Sequence, residues 1–289
     1  MRIAAAPISW GVCEVPGWGR VLEPATVLAE MAGLGIGATE LGPPAYLPTD
    51  PADLNKLLAK HYLGLVGGFL AIPLHDRQAQ RASLDAAGRS AELLARCNGE
   101  VLVLAAATGL DGYDERPVLS RDEWRTLVET AGAVRDRAAR AGLRTVLHPH
   151  VGTHVETTAE VERFLADSDL PLCVDTGHLL IGGTDPVELV RAHPDRVGHV
   201  HLKDVRADLA GAVRTGRTSY TDAVRDGVYV PLGDGDVDLP ELLKLLRDND
   251  YAGWYVLEQD TMLPEDDTGA DRLPRQATAR SLAYLDSVR

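Results

Sequence analysis

The chain has 289 residues, 45% of them hydrophobic and 25% charged, a composition ordinary for a soluble globular protein with ample core. Its 29 Lys and Arg against 43 Asp and Glu give a formal net charge of −14, which argues against nucleic-acid binding, and no polybasic stripe marks a membrane-surface protein. Cys13, Cys97 and Cys173 are widely spaced and form no CxxC pair, which excludes a zinc ribbon and a disulfide framework and fits a reducing cytoplasm. No apolar run reaches the length of a membrane span, and residues 1–7 do not read as a signal peptide.

Short apolar runs alternate with helical periodicity along the chain. Residues 3–9 precede a helix predicted over 23–34, and residues 38–41 precede one over 51–62, with Asp50 as N-cap and Pro51 in its first turn. Residues 65–72 lead into a helix over 82–97, residues 101–106 into 120–141, and residues 145–148 into 158–166 behind Thr157. Residues 172–175, 197–202 and 254–258 are followed by helices over 185–192, 240–246 and 273–288. Near-continuous hydrophobicity in the runs suits parallel strands covered by helices. Gly35, Gly64 and Gly142 fall where a helix must stop before the next strand. Eight such repeats predict a single (β/α)8 barrel domain over residues 1–289. A doubly wound open sheet would need a glycine-rich phosphate loop after its first strand, and Pro7-Ile8-Ser9-Trp10-Gly11 is not one. Residues 209–227, between the seventh and eighth strands, form a polar insertion with a short helix over 220–226, a candidate lid or partner contact. A Gly/Asp turn cluster over 231–236 follows it.

A barrel carries its site at the C-terminal ends of its strands. Of nine histidines, five (His148, His150, His178, His199 and His201) fall at three consecutive strand ends, beside Asp175, Lys203 and Glu258. Strand alternation puts Val146, His148 and His150 on one face, and likewise His199 with His201 and Val256 with Glu258. Carboxylates and imidazoles converging on one mouth form a divalent-metal constellation, suited to Mn²⁺, Fe²⁺, Co²⁺ or Zn²⁺ more than to Ca²⁺. His199 reads as buried and hydrogen-bonded one step deeper, and Cys173 as an inert small hydrophobe. Lys203 and Asp204 read either as a solvated loop pair or, for Lys203, as a functional strand-end group.

The segments Ala6-Pro7-Ile8-Ser9-Trp10, Thr39-Glu40-Leu41-Gly42, His148-Pro149-His150-Val151-Gly152-Thr153, Asp175-Thr176-Gly177-His178-Leu179 and His199-Val200-His201-Leu202-Lys203-Asp204-Val205 resemble the xylose-isomerase-like TIM-barrel superfamily of sugar isomerases, epimerases and dehydratases, most nearly its inosose dehydratase branch. The resemblance implies a divalent metal, Mn²⁺ first, with Co²⁺, Fe²⁺, Mg²⁺ or Zn²⁺ as the other choices. It is held by His148, Asp175, His201 and Glu258, with His148 standing where the epimerases carry a carboxylate; His150 is the other candidate for that place. Replacing a carboxylate by a neutral imidazole leaves the ion less neutralised and a stronger polariser of a ketone.

The implied activity is a hydro-lyase of inositol catabolism. It would dehydrate a keto-cyclitol such as 2-keto-myo-inositol through a metal-stabilised enolate and loss of the β-hydroxyl. The alternative is keto-sugar isomerisation or epimerisation on the same site. His178, His150, Glu258 and Lys203 are the candidates for acid and base, and Trp10, Glu40, Glu156 and Arg206 for substrate contacts. By the same resemblance the partner is a small polyol or keto-sugar, and the chain forms a dimer or tetramer.

Overall fold

The structure, a computed structural model, describes residues 1–288. Eight parallel strand positions alternate with helices: β1 (Arg2–Ala5), β2 (Ala38–Thr39), β3 (Gly64–Leu65, continuing as Gly67–Ile72), β4 (Val101–Ala106), β5 (Arg144–Leu147), β6 (Leu172–Asp175), β7 (Val197–Leu202) and β8 (Trp254–Leu257). Each pairs with its neighbour, and β1 pairs in parallel with β8 from Arg2↔Trp254 to Ala5↔Leu257. The two pieces of β3 stand at the two ends of the pairing order, so the sheet closes through that strand. The helices are α1 (Pro24–Gly33), α2 (Pro51–Lys60), α3 (Gln80–Arg96), α4 (Arg121–Ala139), α5 (Thr158–Asp167), α6 (Thr176–Gly182), α7 (Pro186–Ala192), α8 (Ala207–Arg214), α9 (Tyr220–Arg225), α10 (Leu239–Asp248) and α11 (Leu273–Ser287). No helix among the described residues is long and apolar enough to cross a membrane.

Alternation along the strands separates two cores. Outward residues such as Ala5, Leu65, Leu102, Leu104, Leu147, Leu172, Val200 and Leu257 join the helices in the main apolar layer. Inward residues are small: Ala4, Ala6, Ala38, Val66 and Val256 fill one part of the barrel, and Val101, Val103, Val146 and Cys173 another. Small and β-branched side chains suit an interior eight strands wide.

The sequence reading differs from the structure in three places. The first strand stops at Ala5, and Pro7–Trp10 turns as a 3-10 helix, because Pro7 has no N–H to give a ladder. Directly after β6, α6 starts with Asp175 as its cap: Oδ1 accepts from Gly177 N at 3.0 Å and His178 N at 2.8 Å. The polar insertion holds α8 as well as the short predicted helix, and a two-stranded antiparallel pair, Asp204–Val205 with Tyr229–Val230, ties its ends together.

Candidate active site

The inward parity that places Ala38, Val146, Cys173 and Val256 in the barrel continues two residues on into Glu40, His148, Asp175 and Glu258. On β7 the same parity gives His199, His201 and Lys203. Register sets them side by side, with Asp175 opposite His201, Cys173 opposite His199, and Val256 opposite His201. His201 Nδ1 lies 3.2 Å from Glu258 Oε2 and 3.5 Å from Asp175 Oδ2, and its Nε2 lies 3.2 Å from Glu40 Oε1. His148 Nε2 is 3.2 Å from Asp175 Oδ2. One ligand atom from each of Asp175, His201 and Glu258 lies within 4.8 Å of the others. His199 sits one step down, 2.8 Å from Glu40 Oε1.

The charges in this space do not balance by themselves. Glu40, Asp175, Glu258 and Asp260 are four buried or nearly buried carboxylates facing two cationic groups: His201, which the neighbouring anions push well above the usual imidazole value against burial, and the buried ammonium of Lys203, whose Nζ is 3.3 Å from Asp175, 3.1 Å from Glu258 and 2.7 Å from Asp260. Burial opposes ionisation at Asp175 and Glu258, but the Lys203 ammonium holds Asp175 well below the usual carboxylate range, and His201 and then Lys203 hold Glu258 below it. Burial pushes Asp260 up. The same carboxylates, Asp175 first, overcome burial at Lys203 and raise it well above the usual lysine value. Buried anions in excess of cations are costly unless a further cation joins them. Two imidazole nitrogens here, His148 Nδ1 and His201 Nδ1, make no hydrogen bond. Unpaired imidazole nitrogen beside paired carboxylate oxygens is the donor set of a divalent transition ion, so the residues fit the metal expected from sequence.

A cleft opens above these groups, lined by Glu40, Phe69, His148, His150, His201, Lys203, Glu258 and Asp260, and also by Cys13, Glu14, Trp18 and Tyr113. His150 lies on its wall, with Nδ1 2.7 Å from the Val151 carbonyl and its ring 3.7 Å from that of His178. Burial pushes both His148 and His150 down to about 4. His178 stands behind His150, its Nε2 2.9 Å from Lys203 Nζ.

Three expected substrate contacts lie elsewhere. Trp10 is fully buried beside α1, where its Nε1 donates to Glu30 at 2.7 Å; the 3-10 turn that ends β1 early carries it off the barrel axis. Glu156 accepts from Gly152 N at 2.7 Å and pairs with Arg116 at 3.1 Å, outside the cleft lining. Arg206 is half exposed and pairs with Asp208. Asp204 is no solvated loop charge: it is buried, and its carboxylate accepts from the N–H groups of Val205, Gly233, Gly235 and Val237. The Gly/Asp cluster therefore wraps the chain's own carboxylate.

Sequence reasoning missed Asp260, Glu14, Trp18 and Tyr113. Asp260 had a signal, since it continues the Val256, Glu258 alternation; the others come from loops with no period to read. Tyr113 reaches the mouth because its backbone docks on Gly152. A Cβ there would lie 2.5 Å from Tyr113 Cα, and φ is 76°, so only glycine suits the turn after the HxH segment. The Tyr113 hydroxyl donates to Glu14 across the mouth.

Outside the cleft, His154 carries a pH dependence. It is buried against His75, with ring centroids 4.3 Å apart, and its Nε2 has no partner. Burial, then the charge of His75, push it from 6.5 down to about 4. The unfolded chain therefore takes up a proton between about pH 6.5 and 4 that the folded chain refuses. This contribution to stability is full above 6.5 and is lost as pH falls through that window. Denaturant unfolding from pH 7.5 to 4 should show the decline, and His154→Gln should make it shallower, the rest coming from His148 and His150; an equal slope in the variant would contradict the assignment.

A model of the family described as xylose isomerase-like TIM barrel matches residues 28–287. The chain belongs to this family. It is 34% identical over 270 residues to the inosose dehydratase of Geobacillus kaustophilus, covering 90% of this chain and 87% of that protein. It is 35% identical over 269 residues to the rhizopine catabolism protein MocC of Rhizobium meliloti, covering 90% and 82%. Among solved structures, the D-allulose 3-epimerase of Methylomonas sp. superposes with a TM-score of 0.70 at 18% identity, over 100% of this chain and 97% of that one, a likeness of fold.

Proposed function

We propose that this chain is a hydro-lyase that dehydrates a keto-cyclitol of the 2-keto-myo-inositol kind. One observation carries the proposal: Asp175, His201 and Glu258 meet around a single point beside Lys203 and His150, in a chain 34% identical to an inosose dehydratase. The cleft wall supports the substrate class. Glu14, Glu40, Glu258 and Asp260 line it against Lys203 and His201, with no arginine on the wall, which favours an uncharged, hydroxyl-rich molecule over a sugar phosphate.

Asp175, His201 and Glu258, with His148 as the fourth, would hold the divalent cation, Mn²⁺ in this proposal, which when bound would draw electron density from the ketone. The chain's own groups handle the protons. His150 donates its Nδ1–H to the Val151 carbonyl at 2.7 Å, which leaves the Nε2 lone pair available, and its low pKa keeps the ring neutral. It takes the proton α to the ketone. The β-carbon–oxygen bond then breaks, and the Lys203 ammonium gives the departing hydroxyl a proton, so the product leaves with water. Transfer of the proton from His150 back to Lys203 through the open mouth resets both. We further place the protein in the cytoplasm, where its three free cysteines stay reduced, as a homo-oligomer.

The test is an ultraviolet assay with 2-keto-myo-inositol and Mn²⁺. Dehydration gives an absorbing conjugated product. Conversion of the substrate without absorbance would mean epimerisation and overturn the lyase reading.

A further inference from the structure

Behind Lys203 lies a set of polar side chains that the chemistry above does not use. Lys203 Nζ forms an ion pair with Asp260 Oδ1 at 2.7 Å and donates to His178 Nε2 at 2.9 Å. The second carboxylate oxygen, Asp260 Oδ2, accepts from the Tyr220 hydroxyl at 2.7 Å. That hydroxyl is 3.0 Å from the Tyr229 hydroxyl, which is 3.4 Å from His178 Nδ1. The contacts close a ring of five side chains, and all five are buried. Tyr220 starts α9 and Tyr229 lies on the strand that pairs with Val205, so both come from the insertion between β7 and β8. Close packing holds the arrangement. At Gly177 an added Cβ would lie 2.8 Å from Lys203 Cβ and 2.7 Å from the Tyr229 ring.

The hydrogens in this ring have one consistent arrangement. An ammonium only donates, so His178 Nε2 accepts, and a neutral imidazole then carries its proton on Nδ1. Nδ1–H donates to Tyr229, Tyr229 to Tyr220, and Tyr220 to Asp260, which also pairs with the Lys203 ammonium. The alternative, with Nδ1 accepting from Val151 N–H at 3.4 Å, would set an Nε2 proton against the ammonium at 2.9 Å, a closer conflict than the one the Nδ1–H has with the Val151 N–H.

We propose that Asp260, Tyr220 and Tyr229 are positioning residues: they hold the Lys203 ammonium at a fixed point beside the cleft and fix His178 as the Nδ1–H tautomer. The polar insertion is then part of the apparatus that delivers a proton, and not a lid. The kinetic half of the test rests on the dehydratase proposal; the spectroscopic half does not.

Tyr220→Phe and Tyr229→Phe, made in the full metal-loaded chain, should each lower kcat on 2-keto-myo-inositol by about tenfold or more, because a misplaced catalytic group is costly even when the change lies away from the chemistry. KM, metal content and thermal midpoint should hardly move. A loss carried by KM, or kcat close to that of the parent, overturns the proposal. If a tyrosine variant fails to fold, Asp260→Asn takes its place. Independently of any substrate, nitrogen-15 histidine spectra of the parent should show His178 protonated at Nδ1, with the signal identified by its absence in His178→Gln, and Tyr229→Phe should shift it. An Nε2–H signal in the parent sinks the ring even if the enzyme turns over. Should the parent dehydrate no keto-cyclitol, the fault lies with the proposed reaction, and the spectrum alone decides the ring.

Discussion

Replacing Asp175 or His201 with alanine is expected to remove bound divalent metal and turnover together, with activity falling by at least about a hundredfold. Asp175 serves two structures at once. Its Oδ2 faces His148, His201 and Lys203, while its Oδ1 caps α6. Alanine therefore also costs about 1 kcal/mol of cap. Asp175→Asn separates the two roles, because asparagine caps as well as aspartate but brings no charge. That variant should fold like the parent and still lose metal by elemental analysis. Full metal and full activity in Asp175→Ala or His201→Ala would remove the basis of the site.

Lys203→Met should destabilise the metal-stripped protein by about 3–5 kcal/mol, the usual consequence of deleting one partner from a buried ionic cluster. The fully buried ammonium touches Asp175, Glu258 and Asp260, and methionine leaves those anions without it. Added Mn²⁺ should return part of the loss, since a ligand that binds only the folded state stabilises it. Urea unfolding with and without the ion measures both effects. A metal-stripped variant as stable as the parent would show that Lys203 does not balance these charges.

The barrel was legible because a strand covered on one side by helices and on the other by the barrel interior is apolar along its length. Each of the eight predicted runs overlaps its strand, with β1, β3 and β5 beginning one residue earlier, and the parity argument placed His148, Asp175, His201 and Glu258 toward one axis. Legibility failed where one residue had two roles or where no period existed. Asp175 ends a strand and caps a helix, so α6 was hidden behind it. Trp10 follows the last residue of an apolar run that looked like strand, but Pro7 had already ended the ladder. Glu14, Trp18 and Tyr113 reach the cleft from loops, where contacts far apart in sequence decide position. Tyr220 lay in the short helix of a stretch read as a polar insertion, and Tyr229 lay two residues beyond that stretch, yet both are buried.

The pairing of β1 with β8 reaches beyond architecture. Glu40 follows β2 and Glu258 follows β8, on either side of β1, and His201 contacts both. No contiguous fragment that stops short of Glu258 can present this constellation. A ribosome-bound chain would gain the Glu258 ligand only when its last strand docks, so binding at the full set would report completion of the barrel and draw the final assembly step forward.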